Sequence, residues 1–346
     1  MKIIVTGTAG FIGFHLAKAL IERGNEVIGI DNINAYYDVN LKFARLSETG
    51  INARKIHDRT MVQSQKYPNY RFVKMDISDK EDVFSLFADE RPEYVCNLAA
   101  QAGVRYSLTH PEAYIQSNVT GFLNILEACR LYHVEQLIYA SSSSVYGLNL
   151  EQPYTTDQPT DRPISVYAAT KKMDELLAHT YSHLYKIPTA GLRFFTVYGP
   201  WGRPDMAPFI FAKSIIEKIP VKIYNHGQMY RDFTFVDDII QSIVLLLNSK
   251  KSDNDEPFHL YNIGNSCSVS LMDFIRTMEN KIGVNAVKKH LPLQPGDMVS
   301  MLADVSELEK KIGYRPGTSL KEGISQFIDW YVDFYDIVNK NLLKSA

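Results

Sequence analysis

From Lys2 onward, short runs of β-branched and other apolar residues alternate with longer runs whose apolar positions recur every three or four residues. The short runs at 2–6, 26–30, 71–74, 94–98, 136–140 and 189–194 read as buried strands, and the longer ones at 11–22, 80–87, 111–131 and 167–185 as amphipathic helices. Parallel strands need long crossover connections, which such helices supply. The pattern therefore predicts an α/β fold, a Rossmann-like doubly wound parallel sheet with helices on both faces. The segment 34–69 breaks the alternation. It is polar and poorly periodic, and predicts a helix-containing excursion at the sheet's edge with no role that the sequence assigns.

After Thr196 the punctuation changes: Pro200, Gly202, Pro204, Pro208 and Pro220 crowd a stretch with little regular pattern, which reads as a seam. Helical periodicity returns at 236–247, 270–281, 305–312 and 320–335, with a short strand at 221–224. The expected organisation is a Rossmann-like part over 1–198 and a smaller, mixed α/β substrate lobe over 199–346. Segments at about 232–265 are candidates to return to the first part. Neither an internal repeat nor a low-complexity segment is evident, and the residues after Asn339 are expected to fray.

Composition narrows the class. The 346 residues suffice for one large unit or two unequal lobes, and 45% hydrophobic with 22% charged residues and a formal net charge of −2 is the balance of a soluble globular enzyme. That charge gives no basic surface for nucleic acid. Cys96, Cys129 and Cys267 are odd in number and outside metal-ligand spacing, so all three read as buried thiols with no metal site, and a reducing, cytoplasmic location is expected. The apolar stretch up to Leu20 is broken by three glycines and His15, so it reads as strand, turn and helix rather than a secretory signal. The apolar run 239–247 is far shorter than the ~20 residues a membrane span requires, and no membrane association is expected.

The strongest local signal is Gly7-Thr8-Ala9-Gly10-Phe11-Ile12-Gly13, placed directly after an apolar strand and opening an amphipathic helix. Gly7, Gly10 and Gly13 permit a tight turn and close approach of the backbone to a pyrophosphate at the helix N-terminus, where N–H groups lack partners. At the end of the second strand, Asp31 can accept bonds from the adenosine ribose hydroxyls and would repel a 2′-phosphate. No arginine or lysine follows immediately, since Asn32, Ile33 and Asn34 come next, and this favours NAD over NADP. Asp76, beside Ile77, is a candidate to cap the adenine or to serve as a helix N-cap.

Tyr167 and Lys171 stand four residues apart, which on a helix puts a phenol and an ammonium on one face. A phenol with an ordinary pKa near ~10 is a poor base at neutral pH, and a nearby cation lowers it by stabilising phenolate. Upstream, Ser141 to Ser144 follow a strand-like run, placing hydroxyls at a strand's carboxyl end, where open α/β sheets bind ligands.

Together these residues resemble the extended short-chain dehydrogenases/reductases, and specifically the bacterial UDP-glucuronate 4-epimerases. The likeness runs through Gly7 to Gly13, Tyr36 to Leu41, Leu98 to Arg105, the Tyr167/Lys171 pair, and most distinctively Arg193-Phe194-Phe195-Thr196-Val197-Tyr198-Gly199-Pro200-Trp201-Gly202-Arg203-Pro204-Asp205-Met206-Ala207. The resemblance implies Ser142 as the catalytic hydroxyl, Tyr167 as acid/base and Lys171 as the cofactor-holding lysine. It places Leu98, Ala99, Ala100, Gln101 and Asn118 along the cofactor. It further implies that Arg203, Arg231 and Asp297 bind the UDP portion and that Thr196 with Ser142, Ser143 and Ser144 holds the sugar carboxylate. It implies a homodimer, paired through helices at 111–131 and 167–185.

Relatives diverge after oxidation at C4. Sugar-nucleotide dehydratases resemble one another in an Asp-Glu pair before the Val-Tyr-Gly turn and uronate decarboxylases in a Glu there, whereas this chain has Ser143 and Ser144. A serine cannot exchange the proton that elimination requires at moderate pH, so simple epimerisation is expected. Two alternatives remain at this point: a 4-epimerase of UDP-glucose or UDP-N-acetylglucosamine, and an NAD-sensing protein without chemistry.

Overall fold

The computed structural model describes residues 1–249, 256–294 and 297–335; the fraying expected after Asn339 falls outside them. The chain divides into two units, one of residues 1–149, 156–194 and 240–261, the other of 150–155, 195–239 and 262–346.

The elements run β1 Lys2–Thr6, α1 Phe11–Glu22, β2 Glu26–Asp31, α2 Val39–Glu48, β3 Met61–Gln63, β4 Tyr70–Lys74, α3 Lys80–Glu90 and β5 Tyr94–Asn97. Then come α4 Pro111–Tyr114, a π-helical turn Ile115–Thr120, α5 Gly121–Leu131, β6 Gln136–Ser142, α6 Val166–Tyr185 and β7 Thr189–Phe194. The remainder holds β8 Thr196–Tyr198, α7 Ala207–Ile216, β9 Val221–Ile223, β10 Tyr230–Phe235, α8 Val236–Leu247, β11 Phe258–Ile263 and β12 Ser268–Ser270. It ends with α9 Leu271–Ile282, β13 Lys288–His290, α10 Ser306–Ile312 and α11 Leu320–Phe334.

The predicted doubly wound sheet is present, with eight strands in the order β11-β7-β6-β5-β1-β2-β4-β3. β1 pairs in parallel with both β2 and β5, so the winding reverses at β1 and opens a crevice beyond the strands' carboxyl ends. Thr6, Asp31, Asn97 and Ser142 are the last residues of their strands at that edge. The continuous apolar runs are explained by burial from both sides: Ile3, Ile4, Val5, Ile28 and Val95 are wholly buried. Each such side chain contributes roughly 1.5–3 kcal/mol on leaving water, which makes the sheet a rigid platform for what its edge carries.

The excursion at 34–69 contains α2, and it ends in β3, which pairs antiparallel with β4 at the sheet's edge. The run 111–131 is not one regular helix, because a π turn separates α4 from α5. A single π turn is too short to stand out in the apolar spacing, so the sequence pattern could not reveal it. Cys96 and Cys129 are buried as expected, and burial pushes the Cys96 thiol up to about 12. Cys267 is exposed, which corrects its reading as a buried thiol: it sits between β11 and β12, in a segment too short to cover it.

The second unit holds a three-stranded sheet, β12-β10-β8, and a two-stranded one, β13-β9. Phe233 of β10 stacks on Phe274 of α9 at 4.1 Å between ring centres, and Phe274 also meets Tyr198 and Phe211 edge-on. Helix α9 starts where the Ser270 side chain accepts from Asp273 N and stops at Gly283 in the left-handed conformation.

Candidate active site

The glycine turn is built by contact rather than by preference. A Cβ on Gly13 would lie 2.1 Å from Gly7 O, and one on Gly7, at φ +77°, would lie 2.9 Å from Ala99 N. Only bare backbone fits there. Thr6 supplies the reason Ala99 comes so near: its hydroxyl donates to Asn97 Oδ1 (2.7 Å) and accepts from Leu98 N (3.1 Å) and Ala99 N (2.9 Å). Helix α1 then opens at Gly10 with no side chain capping it and no acidic residue in its first turn, a field that suits an anion. Phe11 and Gly13 are buried, while Gly10 and Ile12 are half-buried.

Asp31 faces this turn. Its Oδ2 accepts from Ala9 N (3.1 Å) and its Oδ1 from Ile33 N (2.8 Å). Asn32 donates to Asp76 Oδ2 (2.7 Å), and Asp76 also accepts from Ser78 N and Ser78 Oγ. Burial raises the Asp76 carboxyl, but these bonds outweigh it and hold the group below its ordinary range. Asp76 is thus joined to the strand end, with Ile77 buried beside it, and the N-cap of α3 is Asp79, whose side chain accepts from Asp82 N.

The excursion reaches the same place. Arg45 of α2 is wholly buried and donates to Ala9 O (2.8 Å) and Tyr37 Oη (2.7 Å); Lys42 places its ammonium 2.9 Å from Asn34 Oδ1 and 4.0 Å from Asp31 Oδ1. Sequence reading missed both, since nothing in local spacing shows which strand an excursion folds back upon.

At the other end, Ser165 caps α6 by accepting from Ala168 N, which sets Tyr167 in the first turn and Lys171 one turn on. Tyr167 is half-buried, packed edge-on against Tyr114 at 6.0 Å, and Tyr114 is itself tied down by its hydroxyl, which donates to Ala102 O (3.0 Å). Lys171 is buried and donates to Ala140 O (2.9 Å) and Asp174 Oδ2 (3.0 Å). Burial pushes the Asp174 carboxyl up to about 7 against the pull of the Lys171 ammonium, and its Oδ1 is buried without a hydrogen-bond partner. Ser142 Oγ accepts from Ser144 N (3.2 Å) and Ser144 Oγ (2.9 Å), which leaves its own proton to donate. Ser143 is buried and Ser144 half-buried.

Asn118, in the π turn, joins these parts. Its Oδ1 accepts from Gln101 N (2.8 Å), and its Nδ2 donates to Gln101 O (3.1 Å) and to Thr170 Oγ1 (3.0 Å). One buried amide thereby fixes the loop through Ala99, Ala100 and Gln101 to the helix that carries Tyr167 and Lys171. Behind it, Arg193 makes a two-armed pair with Glu175 (2.8 and 2.9 Å), and Glu175 also accepts from Ser141 Oγ (2.7 Å). Bonds to Arg193 and Ser141 hold the Glu175 carboxyl below its ordinary range despite burial. The first residue of the distinctive Arg193 to Ala207 motif is thus a strut behind the serine turn.

The remaining expected residues lie in the second unit. Thr196 begins β8, in register with Phe233. Arg231, in β10, donates to Tyr230 O (2.8 Å) and Val299 O (3.2 Å); burial lowers its pKa, with Asp297 pulling the other way. Its neighbour Asp232 anchors the strand by accepting from Asn265 N (2.6 Å) and Ala303 N (3.1 Å), and burial pushes that carboxyl up to about 6. Arg203 pairs with Asp205, with Nε 3.0 Å from Oδ1. Among the described residues no group of three or more His, Cys, Asp or Glu could hold a metal ion.

A model of the NAD dependent epimerase/dehydratase family matches residues 3–264. The chain belongs to this family. Protein CapI of Staphylococcus aureus is 49% identical, over 97% of this chain and 99% of CapI. A probable UDP-glucuronate 4-epimerase of Rhizobium meliloti is 40% identical, over 97% and 98%. The crystal structure of the UDP-glucuronic acid 4-epimerase of Bacillus cereus, in complex with UDP-glucuronic acid and NAD, superposes with a TM-score of 0.86 at 33% identity, covering 97% of this chain and 100% of that one. As a member of the NAD dependent epimerase/dehydratase family the chain is a sugar-nucleotide epimerase that uses NAD. Its first unit fits that group: close backbone for the pyrophosphate, a carboxylate beyond it, and a phenol and an ammonium at the far end of the crevice.

Proposed function

We propose that this chain interconverts UDP-glucuronate and UDP-galacturonate by inverting C4 of the sugar. The observation that carries the reading is the Ser142 to Ser144 turn. It places hydroxyls and no carboxylate at the end of β6, in a chain similar to epimerases whose named substrate is UDP-glucuronate.

Tyr167 takes the proton of the 4-hydroxyl, with Lys171 stabilising phenolate and Ser142 donating to the reacting oxygen. NAD, when bound, would supply the acceptor for the C4 hydride, and inversion requires that the 4-keto sugar turn over so that the hydride comes back on its opposite face, which regenerates the cofactor within each turnover. Between the two transfers the sugar is a 4-keto uronate, a β-keto acid that would lose carbon dioxide if its carboxylate stood perpendicular to the carbonyl plane. Thr196 and the serine turn hold that carboxylate through hydroxyl donors, whose charge-assisted bonds are short and directional. Arg203, Arg231 and Asp297 hold the UDP portion, and the desolvation of Arg231 suits a guanidinium that meets an anion.

A homodimer is supported by exposed Leu123 and Leu131 on α5 and Met173, Leu176, Leu184 and Tyr185 on α6, apolar surface that pairing would cover. Three unpaired cysteines support a reducing compartment such as the cytoplasm. No helix among the described residues is long and apolar enough to cross a membrane.

Product analysis tests the reading. Purified protein given UDP-glucuronate should yield UDP-galacturonate with no carbon dioxide and no net NADH. Release of carbon dioxide with a UDP-pentose would overturn it, and inversion confined to UDP-glucose or UDP-N-acetylglucosamine would put the alternative substrate in its place.

A further inference from the structure

Asp174 is a buried acid for which the mechanism above has no use. On α6 it stands seven residues after Tyr167 and three after Lys171, so phenol, ammonium and carboxylate lie along one stripe of the helix. Its side chain is 2% exposed, and Oδ2 accepts from Lys171 Nζ at 3.0 Å, while Oδ1 is buried with no hydrogen-bond partner among the described residues. The carboxylates that brace this chain are held otherwise. Glu175 accepts from Arg193 through both oxygens and from Ser141 Oγ, and Asp232 accepts from Asn265 N, Ala303 N and Thr234 Oγ1. A buried acid matched on one side only is destabilising, and an apolar side chain would fill the same place with less penalty. What Asp174 does reach is Lys171. An ammonium has three donors: Ala140 O takes one (2.9 Å), Asp174 takes another, and one is left.

We propose that Asp174 is a positioning residue for the reaction: it aims Lys171 and opposes the charge that Lys171 presents to Tyr167, so that the side chain at position 174 sets the pH at which the phenol becomes a base. A cation favours phenolate and an anion behind it disfavours phenolate, across roughly 10 Å of two helical turns. The other charges around the pair leave Asp174 as the variable element. On the same helix, Glu175 is matched by Arg193 of β7, with Lys172 3.4 Å away, and Arg193 also donates to Tyr146 Oη. From β6, the Tyr139 phenol is pushed well above its ordinary range by burial and stays protonated. Burial pushes the Asp174 carboxyl up to about 7, so its charge comes and goes across neutral pH, whereas Glu175 is held below its ordinary range and stays ionised there. This inference rests on the reading of Tyr167 as the acid/base.

The test follows Tyr167 directly. Full-length protein loaded with NAD is titrated by the ultraviolet absorbance of phenolate, with the Tyr167→Phe protein subtracted so that only the Tyr167 transition remains. The kcat/KM on UDP-glucuronate is measured over the same pH range, and retention of NAD shows that each variant is folded. In wild type the transition should be broad, because two interacting groups titrate together. In Asp174→Asn, whose amide oxygen keeps the bond to Lys171 and drops the charge, it should be steeper. Its midpoint should move to lower pH by about half a unit or more, and the acid limb of kcat/KM should move with it. Asp174→Ala, which loses the acceptor as well, should show the same displacement and a lower kcat. A Tyr167 transition of the same midpoint and breadth in wild type and Asp174→Asn overturns the proposal even where the variant is slower, because a packing role changes rate or stability and leaves this titration in place. An acid limb that follows no Tyr167 transition in wild type overturns the base assignment instead, and the absorbance shift then decides the coupling by itself.

Discussion

Two buried ammonium–carboxylate pairs occupy opposite ends of the first unit's crevice, and they are made differently. Lys171 and Asp174 stand three residues apart on one helix, 3.0 Å between charged atoms, with side chains 3% and 2% exposed. Lys42 and Asp31 come from an excursion helix and a strand end, and their charged atoms are 4.0 Å apart. The first pair is dictated by helical spacing, so the helix itself fixes where Lys171 stands. The second exists only because a polar segment folds back on the sheet. The tight pair fixes an ammonium one turn beyond Tyr167; the looser pair ties the excursion to the strand end.

The largest effect should come from the end where the pair is tight. Replacing Tyr167 by Phe removes the proton acceptor but leaves Lys171, Asp174 and the glycine turn as they are. Turnover of UDP-glucuronate should fall at least about a thousandfold, the scale of a lost general base, while the NAD content of the purified protein stays that of wild type. Normal turnover would falsify the assignment of the base. Loss of NAD would mean that the ring serves the cofactor site instead.

How much of this was legible in the chain follows from the same contrast. The glycine turn, the Tyr167/Lys171 pair and the alternation of strands and helices depend on neighbours within a few residues, and spacing displays them. Asp174 was equally local, one turn beyond Lys171, yet a carboxylate on a helix reads as a solvated residue until burial is known. Lys42, Arg45 and the Arg193–Glu175 strut are long-range: each depends on which strand its segment packs upon, and no period encodes that. Asn118 was reached only through resemblance to a family, because its role comes from a π turn too short to show in the apolar spacing. Cys267 was misread because cysteines are commonly buried, and the short β11–β12 connection that exposes it carries no distinctive composition.

A middle-sized effect should appear in stability against pH. The Asp174 carboxyl is raised by burial to about 7, and the charges acting on it are the Lys171 ammonium, which lowers it, and the Glu175 carboxylate, which raises it. Its folded pKa therefore lies above the unfolded value near ~3.9, so the folded protein binds more protons between those limits and loses stability as pH rises through that window. Asp174→Asn removes this titration. Thermal melts at pH 5 and pH 8 should show wild type losing on the order of 2 kcal/mol more than the variant across the interval. Parallel losses in the two proteins would show that the Lys171 pairing holds the carboxylate ionised throughout, and the tight pair would then be a simple ion pair.

The smallest effect sharpens the comparison by asking what is left for the substrate. Lys171 already faces a carboxylate, so it offers no uncompensated charge to a uronate, and the hydroxyls of Thr196 and the Ser142 to Ser144 turn are the donors assigned to it. Bonds to a charged acceptor are typically worth ~1.5–3 kcal/mol, more than bonds to a neutral one. Thr196→Ala should therefore lower kcat/KM on UDP-glucuronate by about tenfold or more, and on UDP-glucose, which has a hydroxymethyl group in that position, by only about threefold or less. The difference between the two losses is the quantity that matters, since a general disturbance of β8 would lower both alike. Should the losses match, hydroxyl recognition of the carboxylate fails at this position, and an arginine of the second unit, Arg203 or Arg231, becomes the group to vary next.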